Sequence, residues 1–134
     1  MTIKFWIDRE KEEIDPTLFS TTAEELATQL AKECNESRQQ KLNKRTQIRK
    51  FYDEVVRLDA AARSAETNWR TILPMVHMLT AKAAYAKGRD LISDSFLAFI
   101  KGSVSQIRDT KDLRIFATFF EAVMGFYRQL GPSN

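Results

Sequence analysis

Lysine and arginine side chains supply the first chemistry that the sequence suggests, which is the binding of phosphate groups. Between Glu36 and Asp53 the chain carries no acidic residue. The same segment is rich in cations, which are Arg38, Lys41, Lys44, Arg45, Arg49 and Lys50. A basic run of this kind is commonly a solvated helix face, but the missing acids leave an anion-binding surface equally open.

A second basic group has the spacing of one helix face. Lys82, Tyr85 and Arg89 stand at i, i+3 and i+7. Two cations with an aromatic ring between them suit a nucleic-acid backbone, because tyrosine can stack on a base or hydrogen-bond a phosphate. The alternative is a lysine stem that lies along the surface beside a tyrosine of the core.

The residue types needed for catalysis or metal binding are scarce. The chain has a single histidine and a single cysteine, which cannot make a structural zinc site of the usual composition. The sequence shows neither a phosphate-binding glycine loop nor a nucleophile–histidine–acid arrangement. His77 stands among apolar residues, so we expect it in the core. We therefore predict no catalytic residue, no metal site, no cofactor and no enzymatic activity.

The composition favours an all-α protein. Of 134 residues, 43% are hydrophobic and only 4 are glycine and 3 proline, so few breakers interrupt the apolar periodicity. The single cysteine, Cys34, excludes an internal disulfide and is expected to be a small inert core residue. With no secretory pattern at the amino terminus, this cysteine usage predicts a reducing, cytoplasmic location and no membrane association.

The last long apolar segment, residues 112–130, organises the predicted fold. Its apolar side chains cover nearly the whole circumference of a helix, but Arg114, Glu121 and Arg128 interrupt them. No stretch reaches the roughly 20 apolar residues that a membrane span needs, so a core helix is expected. We predict a compact bundle of about five helices around this hydrophobic C-terminal helix.

The whole chain divides into an N-terminal arm, 1–20, and a helical bundle domain, 21–134. The arm alternates charges with aromatic residues, and either packs on its own bundle or on a neighbouring subunit. Thr22 and Glu25 have the spacing of a capping box and predict a helix up to about Asn35.

Three further helices are predicted from apolar periodicity and end signals. One contains Ile48 to Ala62 and carries Arg38, Arg45 and Arg49 beside its apolar face, with Lys50 paired to Glu54. The next covers 66–87, with a kink or a late start at Pro74 and an end at Gly88. Ser93 is the predicted cap of the following helix, and Asp109 or Thr110 begins the last.

Charge is distributed unevenly along the chain. The net charge is only +3, but the residues before Ser37 are mostly acidic and the sign then reverses. Such asymmetry indicates a polyanion or an acidic partner at the basic portion.

Three short motifs carry a family resemblance. They are Arg49-Lys50-Phe51-Tyr52-Asp53, then Lys82-Ala83-Ala84-Tyr85-Ala86 with Gly88-Arg89, and Phe119-Phe120-Glu121-Ala122-Val123 ending in Phe126-Tyr127. In this order they resemble the small subunit of type III-A (Csm) CRISPR effector complexes, over about residues 42–128. The resemblance implies a compact helical bundle without catalytic activity, present in several copies that stack head to tail as the inner filament.

The same resemblance implies the partners and part of the RNA-binding site. The partners are guide RNA, target single-stranded RNA, the backbone and large subunits of the Csm complex, and further copies of this chain. RNA contact is implied for Arg49, Lys50, Lys82 and Arg89, with Tyr85 beside them. Charge alone adds Arg38, Lys41, Lys44 and Arg45.

A different class of function remains open at this point. The chain could be a protein-interaction bundle whose basic stripe docks an acidic helix or its own acidic arm, without RNA contact.

Overall fold

The computed structural model describes residues 3–64 and 66–134, which form five α-helices and no named strand. The helices are α1 (Ala23–Glu36), α2 (Arg45–Ala62), α3 (Trp69–Gly88), α4 (Asp94–Val104) and α5 (Thr110–Leu130). A π-helical turn at Leu18–Thr22 precedes α1, and a 3-10 turn at Arg38–Gln40 follows it. The predicted all-α bundle is confirmed. None of the helices in the described ranges is long and apolar enough to cross a bilayer.

Helix α5 lies at the centre of the bundle, as its apolar circumference predicts. It packs against α1 and α2, while α3 pairs with α4 and also contacts α2. Aromatic rings of α4 and α5 interlock in the core, with Phe99 edge-to-face against Phe120 at a centroid distance of 5.2 Å. Because Phe116 and Phe120 are fully buried, the hydrophobic C-terminal helix is confirmed as the core helix.

Two of the predicted helix starts have the expected caps. The Ser93 hydroxyl accepts a hydrogen bond from the Phe96 amide at the start of α4. The Asp109 carboxylate accepts one from the Asp112 amide at the start of α5. In both cases the side chain satisfies an amide that has no partner within its helix.

The capping box at Thr22 is wrong. Thr22 has helical backbone angles (φ −65°, ψ −42°) and its side chain makes no capping hydrogen bond. The reason is the π-helical turn Leu18–Thr22, because it makes the backbone helical before α1 begins. An N-cap residue needs non-helical angles, so Thr22 cannot act as one.

Helix α3 begins before Pro74 and ends with a left-handed aspartate. It starts at Trp69 and continues through Pro74, so the predicted late start at Pro74 is wrong. Its last helical residue is Gly88, as predicted. The residue with positive φ is Asp90 (58°), two positions further on. The Leu91 amide donates to the Ala86 carbonyl at 3.0 Å, which closes a Schellman-type end.

The N-terminal arm packs on its own bundle, which is one of its two predicted placements. The Phe5 ring is fully buried and stacks on Phe116 at a centroid distance of 6.1 Å. Trp6 Nε1 donates to Asp112 Oδ1 at 2.8 Å, and the Arg9 guanidinium donates to Asp112 Oδ2 at 2.6 Å. Because Asp112 is completely buried, these bonds fasten the arm to the start of α5.

Candidate nucleic-acid interface

A groove between α2 and α3 gathers several of the predicted RNA-binding residues. The two helices are antiparallel neighbours. The backbone amide of Asn43, just before α2, donates to the carbonyl of Leu91, just after α3, while Glu54 further along α2 pairs with Lys82, which comes earlier in α3. The groove has a volume of about 340 Å³. We define the α2–α3 groove by its lining residues, which are Gln47, Lys50, Phe51, Glu54, Leu79, Lys82, Tyr85, Ala86, Arg89 and Leu91.

The register of α3 presents its basic stripe to solvent at one edge of this groove. Ala83 and Ala86 are buried against the bundle, so Lys82, Tyr85 and Arg89 lie on the exposed side of the helix. Tyr85 is 67% exposed, and the Arg89 guanidinium carbon lies 5.8 Å from its ring centroid. The alternative of a core tyrosine is therefore wrong.

Glu54 introduces a negative charge into the groove. Its carboxylate accepts hydrogen bonds from Lys82 Nζ at 3.2 Å and from Arg57 Nε at 2.7 Å. Burial alone raises the pKa of Glu54, but the bonds from Arg57 and Lys82 outweigh it, so the net pKa is lowered. The ionised carboxylate thus holds Lys82, and the expected pairing of Glu54 with Lys50 is wrong.

Other predicted cations lie outside the groove. Arg49 is on a different side of α2, where its Nε lies 4.0 Å from Asp53 Oδ1 and both side chains are mostly exposed. An exposed pair at this distance contributes little to stability, so Arg49 remains accessible to an anion. Lys44 immediately precedes α2 and is half-buried.

Arg45 contacts the end of α5. Its guanidinium donates to the Arg128 carbonyl at 3.1 Å and to the Ser133 carbonyl at 3.4 Å. A cation at a helix C-terminus is favourable, because the last carbonyls of the helix are not paired within it. The structure therefore gives the Arg45 side chain a contact that joins α2 to α5.

Arg38 and Lys41 are exposed, but they do not belong to α2. Arg38 is in the 3-10 turn, and Gln39 within that turn has left-handed backbone angles (φ 58°). Because α2 begins at Arg45, the expectation that Arg38 shares a helix face with Arg45 and Arg49 is wrong. Arg38 and Lys41 instead lie in the segment that precedes α2.

Asn43 fixes this basic segment to the bundle and was not singled out from the sequence. It is fully buried with φ 60°. Its Nδ2 donates to the Leu30 carbonyl at 3.3 Å and to Ser93 Oγ at 2.9 Å, and its Oδ1 accepts from the Ser93 amide at 2.9 Å. The Tyr127 hydroxyl donates to the Asn43 carbonyl. Asparagine tolerates a left-handed backbone, which is the one property of the sequence that could have indicated this role.

The lone histidine and the lone cysteine lie apart from the groove lining. The prediction of a core position for His77 is wrong, because α3 turns Val76 and Leu79 inward and leaves His77 exposed. Cys34 is buried as expected, and burial raises the pKa of its thiol. Within residues 3–64 and 66–134, no group of three or more His, Cys, Asp or Glu side chains is arranged to hold a metal ion.

Comparison with known proteins identifies the family over most of the chain. No curated protein and no solved structure matches the sequence. Residues 18–133 match the family described as Csm2 Type III-A, and this range includes α1 to α5 and every residue of the α2–α3 groove. The chain therefore belongs to the Csm2 Type III-A family, the small subunits of type III-A CRISPR effector complexes.

Proposed function

We propose that this small subunit binds the backbone of guide and target RNA through the α2–α3 groove, without reading base sequence and without catalysis. The observation that carries the proposal is the convergence of Lys50, Lys82 and Arg89 from two helices on one open groove. In an RNA-guided complex, base pairing supplies sequence recognition, so a subunit needs to recognise only charge and shape.

The accessibility of these cations supports the proposal. Lys50 and Arg89 are exposed, and the Lys82 side chain keeps 45% of its surface in solvent although it pairs with Glu54. A partly exposed ion pair is weak. A phosphate can therefore take the place of the Glu54 carboxylate as the partner of Lys82, or bind Lys82 together with it. The groove therefore offers three positions for phosphate oxygens.

The remaining predicted cations contribute unequally in this proposal. Arg49 is a secondary contact on the neighbouring side of α2, because its pairing with Asp53 is long and exposed. In this proposal Arg38, Lys41 and Lys44, which lie in the segment between α1 and α2, bind further phosphates. Arg45 acts mainly in positioning, because its guanidinium is already bonded to carbonyl groups near the end of α5.

We also propose that several copies stack as the inner filament beside the backbone and large subunits. One chain carries two surfaces of opposite charge. The exposed acidic residues of α1 and of the arm form one, and the basic segment between α1 and α2 forms the other. Such surfaces suit a heterologous, head-to-tail contact.

An acidic protein partner is the second candidate for the groove. The arm of the same chain is a weak candidate for this role, since its described residues pack towards Asp112 and contribute nothing to the groove lining. The alternative therefore requires an acidic segment of another chain, and it predicts no salt-dependent RNA binding.

The test is the salt dependence of RNA affinity, measured on the lone subunit and on the assembled complex. Each phosphate neutralised on a single strand contributes a slope of about −0.7 in log affinity against log salt. We expect Lys50→Gln or Arg89→Gln to flatten the slope by roughly that amount. Lys101→Gln, an exposed change on α4 outside the groove, is the matched control.

If complexes with full occupancy of the Lys50→Gln or Arg89→Gln subunit keep the wild-type target affinity and slope, these residues are not phosphate contacts. If the same changes reduce only the occupancy of the small subunit, the groove is a protein-docking surface.

A further inference from the structure

The α2–α3 groove has a feature that phosphate contacts alone do not require, which is an apolar floor. Phe51, Leu79, Ala86 and Leu91 line it beneath the cations. Its volume of about 340 Å³ lies within the range of small-molecule sites, roughly 300–1,000 Å³. A phosphate is fully solvated at an open surface, whereas an apolar floor favours a flat, weakly hydrated group.

Tyr85 stands at the rim of this floor with most of its ring in solvent. It is 67% exposed, and the Arg89 guanidinium lies over its ring at 5.8 Å from the centroid, so a stacked base would use the opposite face of the ring. An exposed aromatic ring beside cations is the usual platform on which single-stranded nucleic acid stacks a base. The cations and the ring therefore fit two parts of one ligand, namely the phosphate and the base of a nucleotide.

We propose that the α2–α3 groove binds one unpaired RNA base, which stacks on Tyr85 while its flanking phosphates contact Lys50, Lys82 and Arg89. The proposal rests on the RNA-binding function above and changes one part of it: at this single position the type of base affects binding, while elsewhere the subunit contacts only the RNA backbone. The occupant must be unpaired, because a base inside a duplex presents only its edges and its neighbours cover its faces.

The polar groups of the groove restrict which bases fit best. The Glu54 carboxylate can accept hydrogen bonds at about four lone-pair positions, of which Arg57 Nε, Arg57 Nη2 and Lys82 Nζ use three. One position on Oε2 remains, and because Glu54 lines the groove it suits an exocyclic amino group such as N4 of cytosine. Uracil has carbonyl oxygens on both sides of its only donor, so cytosine is preferred to uracil.

The test compares RNA strands that differ only in their bases. The full-length protein is titrated with a short oligocytidylate and with an abasic strand of the same length and phosphate number. Stacking on one aromatic residue corresponds to a loss of about 5- to 150-fold when that residue is removed. We expect Tyr85→Leu to weaken oligocytidylate binding by a factor in this range and to leave abasic binding unchanged.

The matched control is Tyr85→Phe, which keeps the stacking face and removes only the hydroxyl. We expect it to bind oligocytidylate like the wild type. An equal loss with both strands in Tyr85→Leu would place Tyr85 against the backbone and overturn the base site. No loss with either strand would overturn it as well.

The preference for cytosine over uracil is a second measurement, and it tests the role of Glu54. We expect wild-type protein to prefer oligocytidylate to oligouridylate by about fivefold or more, and Glu54→Gln to reduce this ratio. An unchanged ratio would show that Glu54 does not accept a hydrogen bond from the bound base. The salt slope from the same titrations separates the two proposals: a normal slope without base dependence refutes the base site alone, while no salt-dependent binding refutes both.

Discussion

Replacing Asn43 with alanine should destabilise the whole bundle and not only the basic segment. Asn43 is fully buried, and its side chain bonds the Leu30 carbonyl of α1 and both the amide and the hydroxyl of Ser93 before α4. The substitution removes all three of these hydrogen bonds and leaves the buried Ser93 amide without a partner. It also places alanine in a left-handed conformation, since φ is 60°.

The magnitude follows from these two effects. A buried polar group that loses its partner costs about 1–3 kcal/mol. The Ser93 hydroxyl still accepts from the Phe96 amide and the Leu30 carbonyl still accepts from the Cys34 amide within α1, so the main loss is the partner of the Ser93 amide. The left-handed backbone adds about 1 kcal/mol for alanine. We therefore expect the free energy of unfolding to fall by about 2–4 kcal/mol, a large part of the 5–15 kcal/mol typical of a domain.

The assay is equilibrium urea unfolding followed by far-ultraviolet circular dichroism. Asn43→Gly loses the same hydrogen bonds but adopts positive φ freely, so it should be about 1 kcal/mol more stable than Asn43→Ala. Asn35→Ala, an exposed change on α1, should stay within about 0.5 kcal/mol of wild type. A loss below 1 kcal/mol in Asn43→Ala, or a glycine variant no better than the alanine variant, would refute the reasoning.

Three other predictions concern stability and activity. Burial raises the pKa of Asp112, but the bonds from Arg9, Trp6 and a backbone amide outweigh it and hold the pKa below its ordinary value. The wild type should therefore lose stability as the pH falls below about 4, and acid titration of unfolding should show a smaller loss for Asp112→Asn. Asp90→Gly should raise the free energy of unfolding by about 1 kcal/mol, because φ at this position is 58°; an unchanged midpoint in urea would contradict it. The purified subunit should not cleave single-stranded RNA with or without Mg²⁺ or Mn²⁺, and cleavage abolished by a point change of an acidic residue would contradict this.

Local periodicity was enough to predict the helices and the stripe of α3. Leu79, Ala83 and Ala86 turn inward at the expected spacing, which leaves Lys82, Tyr85 and Arg89 together on the outside. The caps Ser93 and Asp109 also follow from local sequence, because the capping bond joins residues only three positions apart.

Contacts between distant residues could not be predicted in this way. Glu54 and Lys82 are 28 positions apart, and Asn43 and Ser93 are 50 apart. Spacing along one helix carries no information on which neighbouring helix supplies a partner, so Lys50 was paired with Glu54 by its i+4 spacing alone. His77 shows the related difficulty that a position next to a buried residue on a helix turns by about 100° and can face solvent.

The bonds from the arm to Asp112 have a consequence for the order of events during synthesis. Trp6 and Asp112 are 106 positions apart. At about 5–20 residues per second, the ribosome takes roughly 5–20 s to make the residues between them. Throughout that interval the arm has emerged, yet Phe5 lacks the ring of Phe116 against which it stacks. The aromatic side chains of the arm therefore stay exposed to chaperones and to other nascent chains until α5 emerges, and the docking of the arm belongs to the last steps of folding.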